Sequence, residues 1–293
     1  MALKKNRVIL VTGASRGVGK GVALGIAEKG DTVIITGRSL EKGTSVSQFG
    51  LELESSLEVT AEELTKKGAQ ALPYQLDQNH DEEVKELVEM IGSNYGRLDV
   101  LVHASCQIHD DLVKPLPFWE KSKDMWSLVD VGLRSNYVLS YFAAPLMIAQ
   151  NEGLIVHISS HGARCYMHGP AYGAQKAGMD KMSFDMGSDL EPFNVASISI
   201  WSGIVLDEKT ELVSANQDDT YMEFLKGGAS QKYAGLVINA LSKDKDYMKH
   251  SGKVLIMQEL GQYYNINDVE GKNPKSDRET LGGPVDFESA KVY

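Results

Sequence analysis

The sequence is poor in cysteine, in long apolar runs and in positive charge, and each shortage excludes a class of protein. Two cysteines in 293 residues, Cys106 and Cys165, are too few for a disulfide framework or a zinc ribbon. No apolar run approaches the ~20 residues that a membrane-spanning helix needs. With 40 acidic and 30 basic side chains, the formal net charge of −10 disfavours nucleic-acid and anionic-membrane partners. We therefore expect a soluble, cytoplasmic protein without a secretion signal.

The chain alternates between strand-like and helix-like segments. This alternation predicts a single α/β domain with a doubly wound, mostly parallel sheet of about seven strands. No linker or internal repeat divides the chain, so we assign residues 1–265 to the domain and 266–293 to a polar C-terminal tail. Strand-like runs lie at 7–12, 32–36, 70–76, 99–104, 153–159, 195–201 and 253–258, and helix-like stretches include 17–29, 57–67, 80–94 and 171–190.

A glycine-rich turn follows the first strand. Gly13, Gly17 and Gly19 have the spacing Gly-x-x-x-Gly-x-Gly between an apolar run and a helix-like run. Such a turn lets the backbone approach a pyrophosphate closely, and the helix N-terminus supplies amide groups and a favourable dipole. The motif predicts a dinucleotide-binding strand–turn–helix unit.

A second motif combines a tyrosine, a lysine and a serine. Tyr172 and Lys176 are four residues apart, so they project from one face if the segment is helical. A phenol is a poor acid or base at neutral pH, and an ammonium group one turn away favours its phenolate form. Ser160 follows an apolar run and is suited to hold a carbonyl oxygen that Tyr172 protonates. This spacing is common by chance, and the glycine-rich turn is what gives it weight.

Together these motifs resemble the short-chain dehydrogenase/reductase family over nearly the whole chain. Residues 96–102 are similar to that family's fourth strand, and Asp77 stands at its adenine-side acidic position. The resemblance implies a Rossmann-type fold and NAD(P)-dependent carbonyl or alcohol chemistry. Segments 117–120, 125–126, 131–134, 201–205 and 251–255 are similar to the branch of dehydrogenase/reductase family member one and its bacterial relatives.

The resemblance also implies roles for individual residues. Tyr172 is the proton donor, Ser160 orients the carbonyl oxygen, and Lys176 promotes ionisation of the tyrosine and binds the nicotinamide ribose. The implied cofactor contacts are Gly13, Ser15, Arg16, Gly17, Val18, Gly19, Arg38, Asp77, Ala104, Tyr172, Lys176, Gly203 and Val205.

The end of the second strand indicates NADP(H) as the cofactor. Dehydrogenases that prefer NAD usually carry an acid there, which bonds the ribose 2′-hydroxyl. Here the strand is followed by Gly37 and Arg38. Arg38, Arg16 and Ser15 can bind a 2′-phosphate through charge-assisted hydrogen bonds, and the alternative is that both arginines are solvated surface residues.

Longer segments carry further expectations from the family. Residues 40–57 exceed the usual βα connection, so they form an insertion beside the adenosine end or are disordered. Residues 206–232 stand where the family has its mobile substrate lid. The helices at about 122–148 and 171–190 are those that the family packs against a second copy, which implies a homodimer or homotetramer.

Several positions depart from the family pattern. His103 stands in the stretch that is usually Asn-Asn-Ala-Gly, and we expect it to take over asparagine's hydrogen bonding beneath the adenosine. Ser202 replaces a proline, and Asp207 replaces a threonine that touches the cofactor. His161 and His168 are candidates for the substrate pocket or merely flank it. No carboxylate spacing around the histidines suggests a metal site.

Gly132 stands where the family carries an active-site asparagine. A glycine inside a helix costs about 0.5–1 kcal/mol relative to alanine. We expect a distorted turn there, with a carbonyl that holds a water near Lys176. The alternative is that Asn136, one turn onward, replaces the missing side chain.

Two functions compete at this stage. The first is an NADPH-dependent carbonyl reductase or alcohol dehydrogenase for a ketone, aldehyde or secondary alcohol, with lipophilic or steroid-like substrates suggested only by analogy. The second is a catalytically silent NADPH-binding regulatory or scaffold protein on the same fold. The altered segments 103–106 and 202–207 favour the second, and the intact Ser160, Tyr172 and Lys176 set opposes it.

Overall fold

A seven-stranded sheet, parallel throughout, forms the centre of the computed structural model, which describes residues 6–43, 55–208, 225 and 227–292. The strand order is β3-β2-β1-β4-β5-β6-β9, and it confirms the doubly wound Rossmann-type fold expected from the sequence. The strands are β1 (Val8–Val11), β2 (Thr32–Gly37), β3 (Gln70–Gln75), β4 (Val100–His103), β5 (Gly153–Ser159), β6 (Val195–Trp201) and β9 (Val254–Ile256).

The central strands are apolar runs because helices cover both faces of the sheet. Every residue of β1 and β5 is buried. One face packs against α1, α2, α7 and α8, and the other packs against α3, α5 and the end of α6. The helices are α1 (Gly17–Ile26), α2 (Leu57–Lys66), α3 (Asp81–Tyr95), α4 (Ser127–Val129), α5 (Ser135–Gln150), α6 (Pro170–Leu190), α7 (Gln231–Lys243), α8 (Met257–Tyr263) and α9 (Arg278–Leu281).

Successive strands are added on one side of β1 at first and on its other side from β4 onward. The chain runs outward from β1 to β2 and β3, then returns to pair β4 with the other side of β1. In open α/β sheets the crevice at such a reversal, beyond the carboxyl ends of the strands, is the ligand-binding position. The glycine-rich turn, residues 12–19, lies at this point.

Three elements differ from the sequence-based expectation. The helix expected at about 122–148 is interrupted, with a 3₁₀ turn at Lys123–Trp126 and a π-helical segment at Asp130–Arg134 between α4 and α5. The last strand ends at Ile256 because α8 begins at the next residue. A short parallel pair, β7 (Val205–Leu206) and β8 (Ala229–Ser230), was not predicted, since two-residue strands carry no periodicity.

The expected insertion at 40–57 and the expected lid at 206–232 lie mostly outside the described residues. The described part of the tail contacts the rest of the chain at several places. Asp268 accepts hydrogen bonds from the Ser230 amide and hydroxyl at 2.6 and 2.5 Å. The Arg278 guanidinium binds both oxygens of Glu259 at 2.8 and 2.7 Å. The Phe287 ring lies 5.1 Å from that of Phe184.

Candidate active site

The glycine-rich turn forms a backbone cradle whose shape excludes side chains. Gly13 has φ +65°, and a Cβ there would lie 2.7 Å from the Ser105 Cα. The Thr12 hydroxyl accepts hydrogen bonds from the amides of Ala104 and Ser105 at 3.1 and 3.2 Å, which ties this turn to the end of β4. A side chain at position 13 would therefore separate the two loops.

A cleft of about 1000 Å³ extends from this cradle along the carboxyl ends of β1 to β4. Nine of the predicted cofactor residues line it: Gly13, Ser15, Arg16, Gly17, Val18, Gly19, Arg38, Asp77 and Ala104. Ten further residues line the cleft and were not predicted from the sequence to bind the cofactor. Most of them follow strand ends, which is where such folds bind ligands. These are Gly37, Ser39, Leu76, Gln78, Ser105, Cys106, Gln107, Ile108, Val131 and Asp207.

Two guanidinium groups share one corner of the cleft, beside the end of β2. Burial and the nearby positive charge of Arg38 lower the pKa of Arg16 below its ordinary value, while Glu208 and Asp207 act in the opposite direction. A Cβ on Gly37 would lie 3.5 Å from the Ser15 hydroxyl, so the glycine brings β2 close to the turn. Two like charges held together favour an anionic ligand between them.

Two carboxylates lie at the N-terminus of α1. The Gly17 amide donates to Glu208 Oε2 at 3.4 Å, and Glu208 Oε1 lies 4.0 Å from the Lys20 ammonium. Asp207 Oδ2 lies 3.0 Å from the point where a Cβ on Gly17 would stand. A helix N-terminus favours negative charge, and in this fold it is the position that receives cofactor phosphates. The two side chains therefore lie on the expected phosphate position.

Ser160 and Tyr172 meet beside the cleft. Ser160 directly follows β5, Tyr172 lies in the first turn of α6, and their hydroxyl oxygens are 2.9 Å apart. The Gly162 amide donates to Ser160 Oγ at 3.1 Å. Because that bond uses an acceptor position of the serine, its own proton is free to point toward Tyr172 or a carbonyl oxygen placed between them.

Lys176 lies on the same face of α6 as Tyr172, as the spacing predicts. Its Nζ lies 5.5 Å from the centre of the Tyr172 ring and donates to the Ile158 carbonyl at 3.0 Å. The Tyr172 ring packs in an apolar cluster with Ile108, which also lines the cleft. The structure thus brings Ser160, Tyr172 and Lys176 together, although Tyr172 and Lys176, both predicted cofactor contacts, are not among the residues that line the cleft.

A buried carboxylate anchors α6 to the sheet. Asp180 accepts hydrogen bonds from the Ser199 hydroxyl at 2.6 Å and from the Trp201 indole at 2.9 Å. Burial raises the pKa of Asp180, and these hydrogen bonds act against that rise. Because both donors lie on β6, the bonds fix the position of α6 along the strand.

Three of the histidines near the site are buried in the interior, and a fourth, His168, lies beside Tyr172. His103 does not line the cleft, which goes against the expectation that it bonds beneath the adenosine: its ring is buried between β4 and α5, stacks on His157 at 4.8 Å and bonds the Ser140 hydroxyl at 2.8 Å. Burial lowers the pKa of His103 and His157, the latter to about 3. His168 lies against the Tyr172 ring at 5.0 Å, whereas His161 is buried against Trp201.

Gly203 and Val205, two predicted cofactor contacts, follow β6 and are not among the residues that line the cleft. The Gln258 amide donates to the Ser202 carbonyl at 3.1 Å beside Gly203, and Val205 pairs with Ala229.

Within the described ranges, no three His, Cys, Asp or Glu side chains are grouped as a metal site requires. Over the same ranges, no helix combines the length and apolar character needed to cross a bilayer.

Gly132 lies at the centre of the π-helical segment, so the helix is distorted where the sequence predicted a distortion. Its carbonyl, however, accepts a hydrogen bond from the Asn136 side-chain amide at 2.9 Å. The sequence offered two replacements for the family's asparagine, the backbone carbonyl and the Asn136 side chain, and these two groups are hydrogen-bonded to each other.

Comparison with known proteins agrees with this architecture. The family profile of short chain dehydrogenases matches residues 7–219. The chain belongs to the short-chain dehydrogenase/reductase family. It is 36% identical to human dehydrogenase/reductase SDR family member 1 over 91% of this chain and 84% of that protein. The mouse protein of the same name is 33% identical over 96% of this chain and 89% of the relative.

More distant relatives share the fold. The 3-oxoacyl-[acyl-carrier-protein] reductase FabG of Thermotoga maritima is 28% identical over 86% of this chain and 96% of that protein. The crystal structure of gox2181 superposes with a TM-score of 0.70 at 20% identity, covering 86% of this chain and 94% of that one. The chain is thus a short-chain oxidoreductase of a family that uses NAD(P)(H).

The carboxylates at the N-terminus of α1 lead to a prediction about cofactor affinity. We expect Glu208→Gln to tighten NADPH binding about two- to fivefold, because a charge at a helix terminus is worth about 0.3–1 kcal/mol. Glu63→Gln is the matched control, since Glu63 also pairs with Lys20, at 2.9 Å, but has no contact with Gly17. Calorimetric titration measures both variants, and equal or weaker binding by Glu208→Gln contradicts the prediction.

Proposed function

We propose that the protein is an NADPH-dependent carbonyl reductase, able to run in reverse as an alcohol dehydrogenase. The observation that carries this proposal is the 2.9 Å approach of Ser160 Oγ to Tyr172 Oη, with Lys176 on the same helical face. A phenol, a hydroxyl and an ammonium group in this arrangement suit protonation of a carbonyl oxygen. The cleft at the glycine-rich turn, whose residue Ile108 belongs to the same apolar cluster as Tyr172, supports hydride chemistry near them.

The chemistry of each side chain follows from its surroundings. When bound, the nicotinamide cofactor supplies the hydride. Tyr172 gives its proton to the substrate oxygen, and Ser160 donates a hydrogen bond to the same oxygen as negative charge develops on it. Lys176, a residue only 7% exposed, holds its ammonium 5.5 Å from the Tyr172 ring centre, where its positive charge would balance the negative charge left on the oxygen. The glycine turn and the N-terminus of α1 suit the pyrophosphate.

The preference for NADP(H) rests on the basic corner of the cleft. Arg38 comes close enough for its charge to help lower the pKa of Arg16, and no carboxylate ends β2. A phosphate on the ribose would relieve that repulsion and take charge-assisted hydrogen bonds from both groups. This supports NADPH over NADH.

A groove of mixed polarity supports a carbonyl substrate. It combines apolar side chains with Lys114 and Lys121 and reaches His168, whose ring lies 5.0 Å from that of Tyr172. Such a groove would take the body of a ketone or aldehyde while its oxygen reaches the hydroxyl pair. The relative named as a 3-oxoacyl reductase also acts on a ketone, which agrees with this substrate class. The groove is lined by Leu112, Val113, Lys114, Pro115, Leu116, Pro117, Lys121, Tyr166 and His168.

We also propose a homodimer or homotetramer in the cytoplasm. Trp126, Tyr137 and Tyr141 lie before and along α5 and are 56%, 55% and 65% exposed. Aromatic side chains are enriched in protein interfaces, where their burial is favourable. The cytoplasmic location stays a prediction from composition and charge.

Removal of the phenol hydroxyl tests the mechanism. We expect Tyr172→Phe to lower kcat by about a hundred- to ten-thousandfold, the usual contribution of a general acid, with little change in NADPH affinity. NADPH consumption against a panel of ketones and aldehydes measures turnover, and Tyr95→Phe, at the end of α3, is the control. Retention of more than about a tenth of the activity would overturn the role of Tyr172. A protein that binds NADPH but turns over no carbonyl would be the silent alternative.

Reversal of charge at the end of β2 tests cofactor choice. We expect Arg38→Asp to invert the preference from NADPH to NADH, because it removes a phosphate ligand and adds an acceptor for the 2′-hydroxyl. Lys245→Asp makes the same change in net charge at an exposed position after α7. Binding isotherms for both cofactors provide the measurement. Equal or tighter NADH binding by the unmodified protein would rule out the assignment.

Light scattering tests the oligomer. We expect a mass near two or four times 32.1 kDa at micromolar concentration. Tyr141→Glu should shift the protein toward the monomer, because a charge would be buried in the contact. A monomeric mass for the unmodified protein contradicts the proposal.

A further inference from the structure

Lys121 joins two loops beside the Tyr172 ring. Its ammonium donates to the Leu112 carbonyl at 3.1 Å and to the His168 carbonyl at 3.2 Å. Leu112 belongs to the apolar cluster against which the Tyr172 ring packs, and the His168 ring lies 5.0 Å from the same ring. The two residues that hold the ammonium are therefore also packed around the proposed proton donor.

The backbone at His168 has an unusual conformation. Its φ angle is +60°, in the left-handed region that residues other than glycine seldom adopt. Such a conformation persists where surrounding contacts fix it, and the hydrogen bond from Lys121 to the His168 carbonyl is one of these contacts. The two carbonyls fix the ammonium in return, so a ligand would not bear the full cost of ordering a long, flexible side chain.

The Lys121 ammonium has a third N–H group for a ligand. An ammonium has three donors, and the carbonyls of Leu112 and His168 take two of them. Lys121 is partly buried, and it is one of the residues that line the groove proposed above for the substrate. The third donor is therefore available to a molecule that lies in this groove.

The charge of Lys121 is not balanced by a carboxylate. Lys114, the other lysine of the groove, pairs with Asp111 at 2.6 Å, whereas in the described part of the chain no carboxylate pairs with Lys121. Burial and then the positive charge of Lys121 lower the pKa of His168, so its imidazole is neutral at neutral pH. The described residues thus give the groove one unbalanced positive charge.

We infer that the preferred substrate is a carbonyl compound that carries a carboxylate, and that Lys121 is the specificity-determining residue that binds this carboxylate. The inference rests on the function proposed above, because it names the substrate class of the same site. The carbonyl oxygen lies at Ser160 and Tyr172, and the carboxylate accepts the third N–H of Lys121. A carboxylate matches the one unbalanced charge, whereas a phosphate ester brings nearly two negative charges to a single ammonium.

Substrate pairs that differ in charge test this inference on the unmodified protein. Straight-chain keto acids of increasing length are compared with their methyl esters, with NADPH consumption as the measurement. We expect kcat/KM for the best acid to exceed that for its ester about tenfold, mainly through KM, because a hydrogen bond to a charged group is stronger than one to a neutral group. Equal use of acid and ester at every chain length overturns the inference.

Lys121→Met separates recognition of charge from the joining of the two loops. Loss of the loop contacts lowers turnover of acid and ester alike, whereas loss of the charge lowers the acid-to-ester ratio of kcat/KM. We expect this ratio to fall to about one in Lys121→Met and to stay above about three in Lys121→Arg, which keeps the positive charge. A Lys121→Met variant with an unchanged ratio would show that Lys121 is only a structural residue.

Lys123→Met is the matched control for net charge. It removes the same charge two positions away, from an exposed residue that does not line the groove. We expect it to keep the acid-to-ester ratio within about twofold of the unmodified protein, because an exposed charge is screened by solvent. A loss of the ratio as large as that in Lys121→Met would overturn the assignment to Lys121.

Binding to the protein loaded with NADP⁺ gives a readout that does not depend on turnover. The oxidised cofactor cannot reduce a ketone, so calorimetric titration compares the affinities of acid and ester directly. We expect the acid to bind about tenfold more tightly, and Lys121→Met to remove the difference. If no carbonyl is reduced but the acid binds more tightly, the reductase proposal fails and the carboxylate site stands. If acid and ester are reduced and bound equally well, the reductase stands and the carboxylate site is wrong.

Discussion

The docking of α6 against β5 and β6 sets the distance between the two hydroxyls at the centre of the site. Buried hydrogen bonds hold it: among them, Ser159 Oγ donates to the Lys176 carbonyl at 3.2 Å, and Asp180 binds the Ser199 hydroxyl and the Trp201 indole. A buried carboxylate is costly unless its acceptors are used, so these donors make the register of α6 specific. Ser160 follows Ser159 directly, and Tyr172 lies one turn before Lys176. The Ser160–Tyr172 contact is thus a consequence of that docking.

Positively and negatively charged side chains lie at different places along the cofactor cleft. Arg16 and Arg38 gather at the end of β2, while Asp207 and Glu208 approach the N-terminus of α1. The two arginines favour binding of a phosphate. The two carboxylates occupy the position at the helix N-terminus where the helix dipole would favour a phosphate. Asp207 and Glu208 directly follow β7, so any ligand phosphate at the N-terminus of α1 must compete with these two carboxylates.

The π-helical segment Asp130–Arg134, which precedes α5, packs Gly132 against the amide of Gln175. A Cβ at position 132 would lie 1.6 Å from Gln175 Nε2, so the absence of a side chain there makes room for the amide. The segment departs from regular α-helical hydrogen bonding. Such segments occur frequently at functional sites, and this one includes Val131, which lines the cleft.

Local geometry and apolar patterning were enough to predict much of this protein. Runs such as Val8–Val11 identify buried parallel strands, and a four-residue spacing places Tyr172 and Lys176 on one face of any helix. The position of Gln175 against Gly132, 43 residues apart in sequence, was not predictable, nor was the burial of His103 against His157. Those contacts depend on which helix packs beside which strand, and the spacing of residues in the sequence does not predict that packing. The sequence by itself determined the strands, the glycine turn and the spacing of the reactive groups, whereas tertiary packing alone decided which side chain fills the space beside Gly132.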